Sequence, residues 1–427
     1  MMTVSDQEQL RRWRRMFHQI PETGWSEFIT SARLIEILRA IGYRVLPGSA
    51  FLSREHIQGR NDEEVAQGLA RARRYPVSDA LLEEMGDLTG CVALLETGRP
   101  GPTVALRFDI DCVAVTESDA PQHPPRAADF ASRHPGCMHA CGHDGHMAIG
   151  LGVAQALCAL RDRLCGTVKL LFQPAEEGVR GAKPVAEGGL LDDVDYFLSA
   201  HIGMGVPSGE IVVDPRDFLC TTKLDLRFFG APAHAGMMPQ GGANALAGAC
   251  HCVTQLLGIP RHGDGMSRIN VGTLRAGEGR NVIPAYAEMQ LEVRGANRTI
   301  NDYMAQQALR IADGAAQSFG LRVEHQVMGS AVDLHNDAAL MTLVADIASQ
   351  QLDLRIGEAS FGGSEDATLL VERVQAHGGQ AAYVVLGADL RAGHHQSEFD
   401  FDDAVLSRGC ALFTACVSRL CRTAQSA

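Results

Sequence analysis

Residues 103–111 read Thr-Val-Ala-Leu-Arg-Phe-Asp-Ile-Asp, a mostly apolar run that ends in two carboxylates, Asp109 and Asp111. A short run this apolar, bounded by turn residues, fits a strand covered on both faces. The theme repeats along the chain. VKLLF, ending at Phe172, leads to Glu176 and Glu177; DYFLSA, ending at Ala200, leads to His201; AAYVVL, ending at Leu386, leads through a glycine-containing loop to His394 and His395. Helix-period segments separate these runs, which predicts a largely parallel sheet in an α/β domain. Ligands in such sheets bind outside the carboxyl ends of the strands, and all four runs deliver chemically capable side chains there.

Between Thr221 and Met328 the pattern changes. Thr221–Phe229 alternates, with Leu224, Leu226 and Phe228 opposing Lys223, Asp225 and Arg227, as a strand with one wet face does. A helical stretch follows (Asn244–Leu257), then a strand (Ile269–Leu274), a second alternating strand in which Ala287, Met289, Leu291 and Val293 oppose Glu288, Gln290, Glu292 and Arg294, a long helix (Ile300–Ser318) and a last strand (Leu321–Val327). The order βαββαβ is the split, ferredoxin-like plan. The chain therefore reads as an α/β domain built from residues 1–218 and 330–427, with a smaller ferredoxin-like domain, 219–329, inserted into it. Residues 50–85 are polar, helix-prone and empty of catalytic groupings, and read as a surface insertion.

The 427 residues, 46% hydrophobic and without a short-period repeat, are enough for two sizeable cores. Lys and Arg total 38 against 51 Asp and Glu, a net charge of -13, which argues against nucleic acid as a partner. No apolar stretch reaches the length of a membrane span, and the N-terminal MMTVSDQEQLRRWRRMF has no apolar signal core, so a cytoplasmic chain opening on an amphipathic helix is expected. The 12 cysteines are scattered, and most read as small buried hydrophobes.

Cys141 is the exception. Cys137–His146 packs two Cys and three His into one short segment at the start of a helical stretch. In an extended or irregular backbone, positions two apart point the same way, so Cys141 and His143 can share an ion. Thiolate and imidazole suit Zn, whereas added carboxylates also admit Mn. A helix-start cluster in which His139 and His146 are merely hydrogen-bonded is the plainer alternative. Glu176 and Glu177 follow a buried strand. Two adjacent carboxylates in one crevice repel, which favours one as a cation ligand and the other as a proton acceptor near neutral pH. Singly, an acidic pair or a loop histidine means little, but four converging strand ends offer Cys141, His143, Glu177, His201 and His395, enough donors for two ions.

At these residues the chain resembles the metallo-aminoacylase and carboxypeptidase superfamily, in the branch of hippurate and auxin-conjugate hydrolases. The likeness runs from about residue 10 to 420 through RFDID, MHACGHDGHMA, FQPAEEG, AHIG, GAPAHAG, GRNVIPAYAEMQLEVRG, FGGSEDA and GHHQSEFDFDD, in that order. Within that branch, the insertion before VALLETGRPGPTVALRFD and the ending AGHHQSEFDFDD resemble the p-aminobenzoyl-glutamate hydrolases, two-subunit enzymes of which one chain has this pattern. The resemblance implies Cys141, His143, Glu177, His201 and His395 as metal ligands, with His394 the alternative for the last, and Glu176 as general base. Arg107 stands where distant members place a ligand His, so Cys141 takes that place. His234, in its Gly-x-x-x-His-Ala-Gly setting, would enter a partner subunit's active site and stabilise the oxyanion, which implies a dimer and makes the inserted domain a lid. Asn281 and Arg294 are candidates for the substrate carboxylate, Arg294 also reading as a surface-strand residue. Gly362-Gly363-Ser364 resembles a loop near the metals.

The expected activity is hydrolysis of the amide bond of an N-acyl amino acid by two divalent ions, Mn or Zn, with p-aminobenzoyl-glutamate as the leading substrate. Another aminoacylase or dipeptidase activity, or a noncatalytic role beside a related chain, remains open at this point.

Overall fold

A computed structural model describes residues 4–422. They divide into two compact units, a larger one comprising residues up to Arg216, Leu334–Phe361 and the chain from Asp366 on, and a smaller one comprising Asp217–Asp333 with Gly362–Glu365. The strands, in chain order, are β1 (Arg44–Pro47), β2 (Cys91–Glu96), β3 (Thr103–Asp109), β4 (Thr167–Gln173), β5 (Tyr196–Ile202), β6 (Glu210–Val212), β7 (Cys220–Phe229), β8 (Ser267–Ala276), β9 (Tyr286–Gly295), β10 (Arg322–Ala331), β11 (Arg355–Ile356) and β12 (Gln380–Leu386).

The larger unit holds one sheet in the order β1-β2-β4-β3-β5-β12-β6-β11. Its four central strands, β4, β3, β5 and β12, are parallel. They are the four runs read from the sequence. Each is buried at nearly every position, as strands sheathed on both faces must be. The margins turn antiparallel, where β2 pairs β4, β1 pairs β2 and β6 pairs β12. All four central strands share one direction, so Asp109, Gln173, His201 and the chain beyond Leu386 leave the sheet at one edge.

The helix His143–Ala159 starts at that edge, entered through Gly142 at φ 92°, a left-handed conformation that glycine adopts without a Cβ clash. It is buried almost all round, packed by the helices Val4–His18, Phe28–Ile41 and Ala404–Leu420. The expected N-terminal helix is Val4–His18 and buries Leu10, Arg14, Phe17 and His18 on one stripe; residues 1–3 of that reading lie outside the described residues. The insertion forms two helices, Asp62–Ala72 and Asp79–Met85, the first capped by Asn61 accepting from Glu63 and Glu64 N–H.

The smaller unit is a four-stranded antiparallel sheet, β10-β7-β9-β8, with helices Ala245–Leu257 and Arg298–Ser318 covering its apolar face. Both helices begin one or two residues away from the sequence estimate, after Asn244 and Asn297, whose side chains accept from Ala247 and Ile300 N–H. β8 and β10 run further than the sequence reading, to Ala276 and Ala331, because their pairing with β9 and β7 continues that far. Among the described residues every cysteine is free, and eight of the twelve are buried. No helix among them is long and apolar enough to cross a membrane.

Candidate metal centre

The centre is assembled at the carboxyl edge of the larger unit's sheet. His143 donates Nδ1–H to the Asp111 carbonyl at 2.8 Å, which fixes its tautomer and turns Nε2 outward. That Nε2 is buried, has no hydrogen-bond partner, and lies 3.9 Å from Glu176 Oε2. His201 is held the same way: Nδ1–H donates to the Ile202 carbonyl at 2.8 Å, and Nε2 faces Cys141 Sγ at 3.4 Å. Two imidazoles, each tied by an outer hydrogen bond with the other nitrogen presented inward, have the form of metal ligands oriented by their surroundings.

The acidic pair is oriented by a neighbour whose role the sequence reading left blank. The Asp111 carboxylate accepts from Glu176 N–H at 3.0 Å and from Glu177 N–H at 2.9 Å. Glu27 accepts from Ala175 N–H at 2.8 Å, and Asp366 from Gly181 and Ala182 N–H at 3.1 and 2.9 Å. The loop needs this bracing, because Ala175 (φ 53°), Gly178 (φ 82°) and Val179 (φ 58°) all adopt left-handed conformations. For a β-branched valine that backbone is a strained exception, worth about 1–3 kcal/mol.

Of the adjacent histidines, only one is offered. Met204 N–H donates to His394 Nε2 at 3.1 Å, which leaves Nδ1 carrying the proton, 3.6 Å from Cys141 Sγ. Burial, and then the neighbouring His395, lower His394 to about 4, so it stays neutral. His395 takes a left-handed backbone (φ 62°), anchors its N–H on the Ala140 carbonyl at 2.8 Å, and brings Nε2 to 3.3 Å from Glu177 Oε1.

Candidate donor groups accordingly overlap: Cys141 with His143 and His201, Cys141 with Glu177 and His395, and His143 with Glu176 and Glu177, the atoms of each group lying within 4.8 Å of one another. The electrostatics fit a cation. Contacts with Cys141 and Glu177 raise His395 to about 10, marking a negative pocket. Burial and the Glu177 charge raise the Cys141 thiol, so a thiolate there calls for positive charge beside it. Burial alone would raise Glu177, but His395 and His143 outweigh it and hold the carboxyl below its ordinary value.

His146, Asp109 and His143 also cluster. His146, however, has both nitrogens engaged, Nδ1 with Asp109 Oδ1 at 2.5 Å and Nε2 accepting from Ile202 N–H at 3.0 Å. Arg107 is fully buried and ties the sheet together, reaching Asp109 at 2.7 Å, Gln173 at 2.8 Å and Asp366 at 3.1 Å. His139 is buried with neither ring nitrogen hydrogen-bonded, and burial lowers it to about 3.

The remaining sequence candidates lie in the smaller unit. His234 is exposed; its Nδ1 accepts from Gly236 and Met237 N–H at 3.2 and 3.1 Å, and Ala235 N–H donates to the Asn281 carbonyl at 3.0 Å, so His234 and Asn281 sit together. Arg294 is turned toward its own strand, Nε and Nη2 on Glu292 at 3.0 and 3.1 Å and Nη1 on Ser364 at 3.3 Å. Gly362 has φ 67°. The parts of Asp111, Asp366 and Glu27 escaped the sequence reading because each acts on backbone N–H groups far away in the chain, which no local spacing signals.

The chain is similar to known proteins over nearly its whole length. A Haemophilus influenzae protein, described as the homolog of a p-aminobenzoyl-glutamate hydrolase subunit, is 50% identical over 418 residues, covering 97% of this chain and 99% of the relative. The indole-3-acetyl-aspartic acid hydrolase of Enterobacter agglomerans is 44% identical over 407 residues, 93% of each chain. The crystal structure of an aminobenzoyl-glutamate utilization protein from Klebsiella pneumoniae superposes with a TM-score of 0.83 at 35% identity, covering 96% of this chain and 95% of that one. The profile of peptidase family M20/M25/M40 matches residues 105–419, which takes in each of the donor residues gathered at the sheet edge. The chain belongs to peptidase family M20/M25/M40 and is a metal-dependent amidohydrolase.

Proposed function

We propose that the chain hydrolyses p-aminobenzoyl-glutamate to p-aminobenzoate and glutamate at a centre of two divalent ions, Mn or Zn, held by Cys141, His143, Glu177, His201 and His395. The observation that carries the reading is the pair of donor groups sharing Cys141 beside a second carboxylate, Glu176. Ions bound there supply Lewis acidity toward the amide carbonyl and toward water. Glu176, oriented by the Asp111 contact to its N–H, accepts a proton from the attacking water and returns it to the departing amine nitrogen. The engaged nitrogens of His394 support His395 as the fifth ligand.

His234 serves the oxyanion in the active site of a second protomer, in a homodimer or a heterodimer with a related chain. Its exposure, and that of the adjoining Met237 (77%) and Met238 (59%), supports a surface that meets a partner. Asn281 and Arg294 hold the substrate carboxylate in this reading, in competition with Glu292 for the guanidinium.

Both relatives above carry in their names an aromatic acyl group on an acidic amino acid. That supports this substrate class and makes indole-3-acetyl-aspartate the second reading. The test is hydrolysis by the purified chain, chelated and then resupplied with Mn or Zn, of p-aminobenzoyl-glutamate, indole-3-acetyl-aspartate, benzoyl-glycine and a dipeptide. Metal-restored preference for p-aminobenzoyl-glutamate is expected. Preference for another member replaces the substrate and keeps the chemistry; no cleavage of any turns the reading to a noncatalytic partner of a related chain.

A further inference from the structure

The insertion at residues 50–85 carries no catalytic grouping, yet it is fastened to the loop that bears Glu176 and Glu177. The N–H groups of that loop are held by Asp111 and Glu27. Its outward carbonyl, Glu177 O, accepts from Arg180 Nε at 2.7 Å, and the same guanidinium donates Nη1–H to Gly59 O in the insertion at 3.0 Å. Its Nη2 lies 2.4 Å from where a Cβ on Gly24 would stand, so the guanidinium fills a notch that a larger residue would close.

The insertion cannot drift from this position, because it is seated twice on residues 22–26. Trp25 Nε1–H donates to Gln58 O at 2.8 Å, one residue before the carbonyl that Arg180 uses. Arg71 in the helix Asp62–Ala72 reaches Glu22 at 3.1 Å and Ser26 O at 3.3 Å, and at Gly68 that helix lies so close that a Cβ would come within 2.8 Å of Ser26. A rigid chain of contacts thus runs from the insertion through one guanidinium to a loop whose left-handed residues favour relaxation once released.

The geometry points to Arg180 as a positioning residue for turnover: the insertion, through Arg180, holds the acidic loop in its working conformation. This rests on the reading of Glu176 as the base. A planar guanidinium can donate from two nitrogens to two carbonyls at once, and an ammonium cannot reproduce that fork. Arg180→Lys therefore keeps the charge and breaks the link. Trp25→Phe keeps an aromatic ring but removes the indole N–H that fixes Gln58, together with part of the buried ring's packing, loosening the same link from its far end.

The experiment uses the full chain resupplied with Mn and whichever substrate of the panel it cleaves, together with amide hydrogen exchange over residues 174–182. Arg180→Lys is expected to lower kcat by about tenfold or more, since small misplacements of reacting groups have effects up to about 10²-fold. KM stays within about twofold and exchange of the loop rises, as expected for a loss confined to positioning. Trp25→Phe acts in the same direction by a smaller factor, and the double variant is no worse than Arg180→Lys, because both cut one link. Unchanged kcat and loop exchange in Arg180→Lys, or losses that simply multiply in the double variant, overturn the proposal. If Glu176→Gln keeps full turnover, the base reading fails instead, while loop exchange still reports whether Arg180 holds the loop.

Discussion

The two sheets are built from differently patterned strands and put them to different uses. In the larger unit the central strands are sheathed in hydrocarbon on both faces, so polar groups are crowded to one end, where Asp109, Asp111, His143 and His201 are buried. A buried polar or charged group needs partners of its own: Asp109 meets His146 at 2.5 Å, and His143 and His201 donate to the Asp111 and Ile202 carbonyls at 2.8 Å. In the smaller unit each strand keeps a wet face. Lys223 and Glu292 pair there at 3.6 Å, as do Arg275 and Glu288, while Leu224, Leu226 and Phe228 bury the other face. A polar side chain is therefore specified by its exact neighbours in the first sheet and only by its side in the second.

The largest test of that contrast is Glu176→Gln. It removes a proton acceptor while preserving shape, and kcat should fall by about 10²- to 10⁴-fold, with metal content by elemental analysis unchanged. A variant that keeps turnover would show that the buried end of the sheet is not where the proton moves. In the smaller unit the strongest effect belongs to an apolar position. Phe228→Ala should cost about 3–5 kcal/mol of stability in a urea titration, because Phe228 is fully buried among the residues of β7, β9 and the two helices. A loss below about 1 kcal/mol would mean that this face is not the core.

The next effect concerns pH and a buried carboxyl of the larger unit outside its sheet. Burial raises the Glu22 carboxyl from 4.5 to about 7, against the opposing pull of Arg71 and the Thr30 N–H. The folded state holds that proton more tightly than the unfolded chain does. Its contribution to stability is present in full below about pH 4.5 and is lost as pH rises through about 7. Glu22→Gln should flatten the fall in stability across that window, by roughly 2 kcal/mol or more between its ends. Identical pH profiles for variant and parent would refute the shift. Smallest is Arg227→Ala, on the wet face of β7 opposite Glu288 and Glu324. A change of more than about 1 kcal/mol there would erase the distinction between a solvated charge ladder and a buried polar network.

Much of the architecture was legible in the chain because it is written in periodicity. Two-faced apolar runs marked β3, β4, β5 and β12, and alternation marked β7 and β9, since a strand's side-chain period is fixed by its backbone. The candidate donors were legible too, each following one of those runs or opening the next helix. The antiparallel margins of the large sheet were not, because a short buried strand reads alike in either direction. Between His394 and His395 the residues offered only a preference by resemblance: adjacent histidines are equivalent until the backbone turns, and the left-handed turn falls at His395 while Met204 N–H donates to His394. Asp111, Glu27, Asp366 and Arg180 acquire their parts only in three dimensions, where a carboxylate meets N–H groups 65 or 148 residues away in the chain and a guanidinium meets a carbonyl 121 residues away. The sequence by itself determined which side chains are available and at which strand ends they emerge, because periodicity is a local property. Tertiary structure alone decided which nitrogen, oxygen or sulfur is turned toward a shared point, because hydrogen bonds between distant segments set that direction.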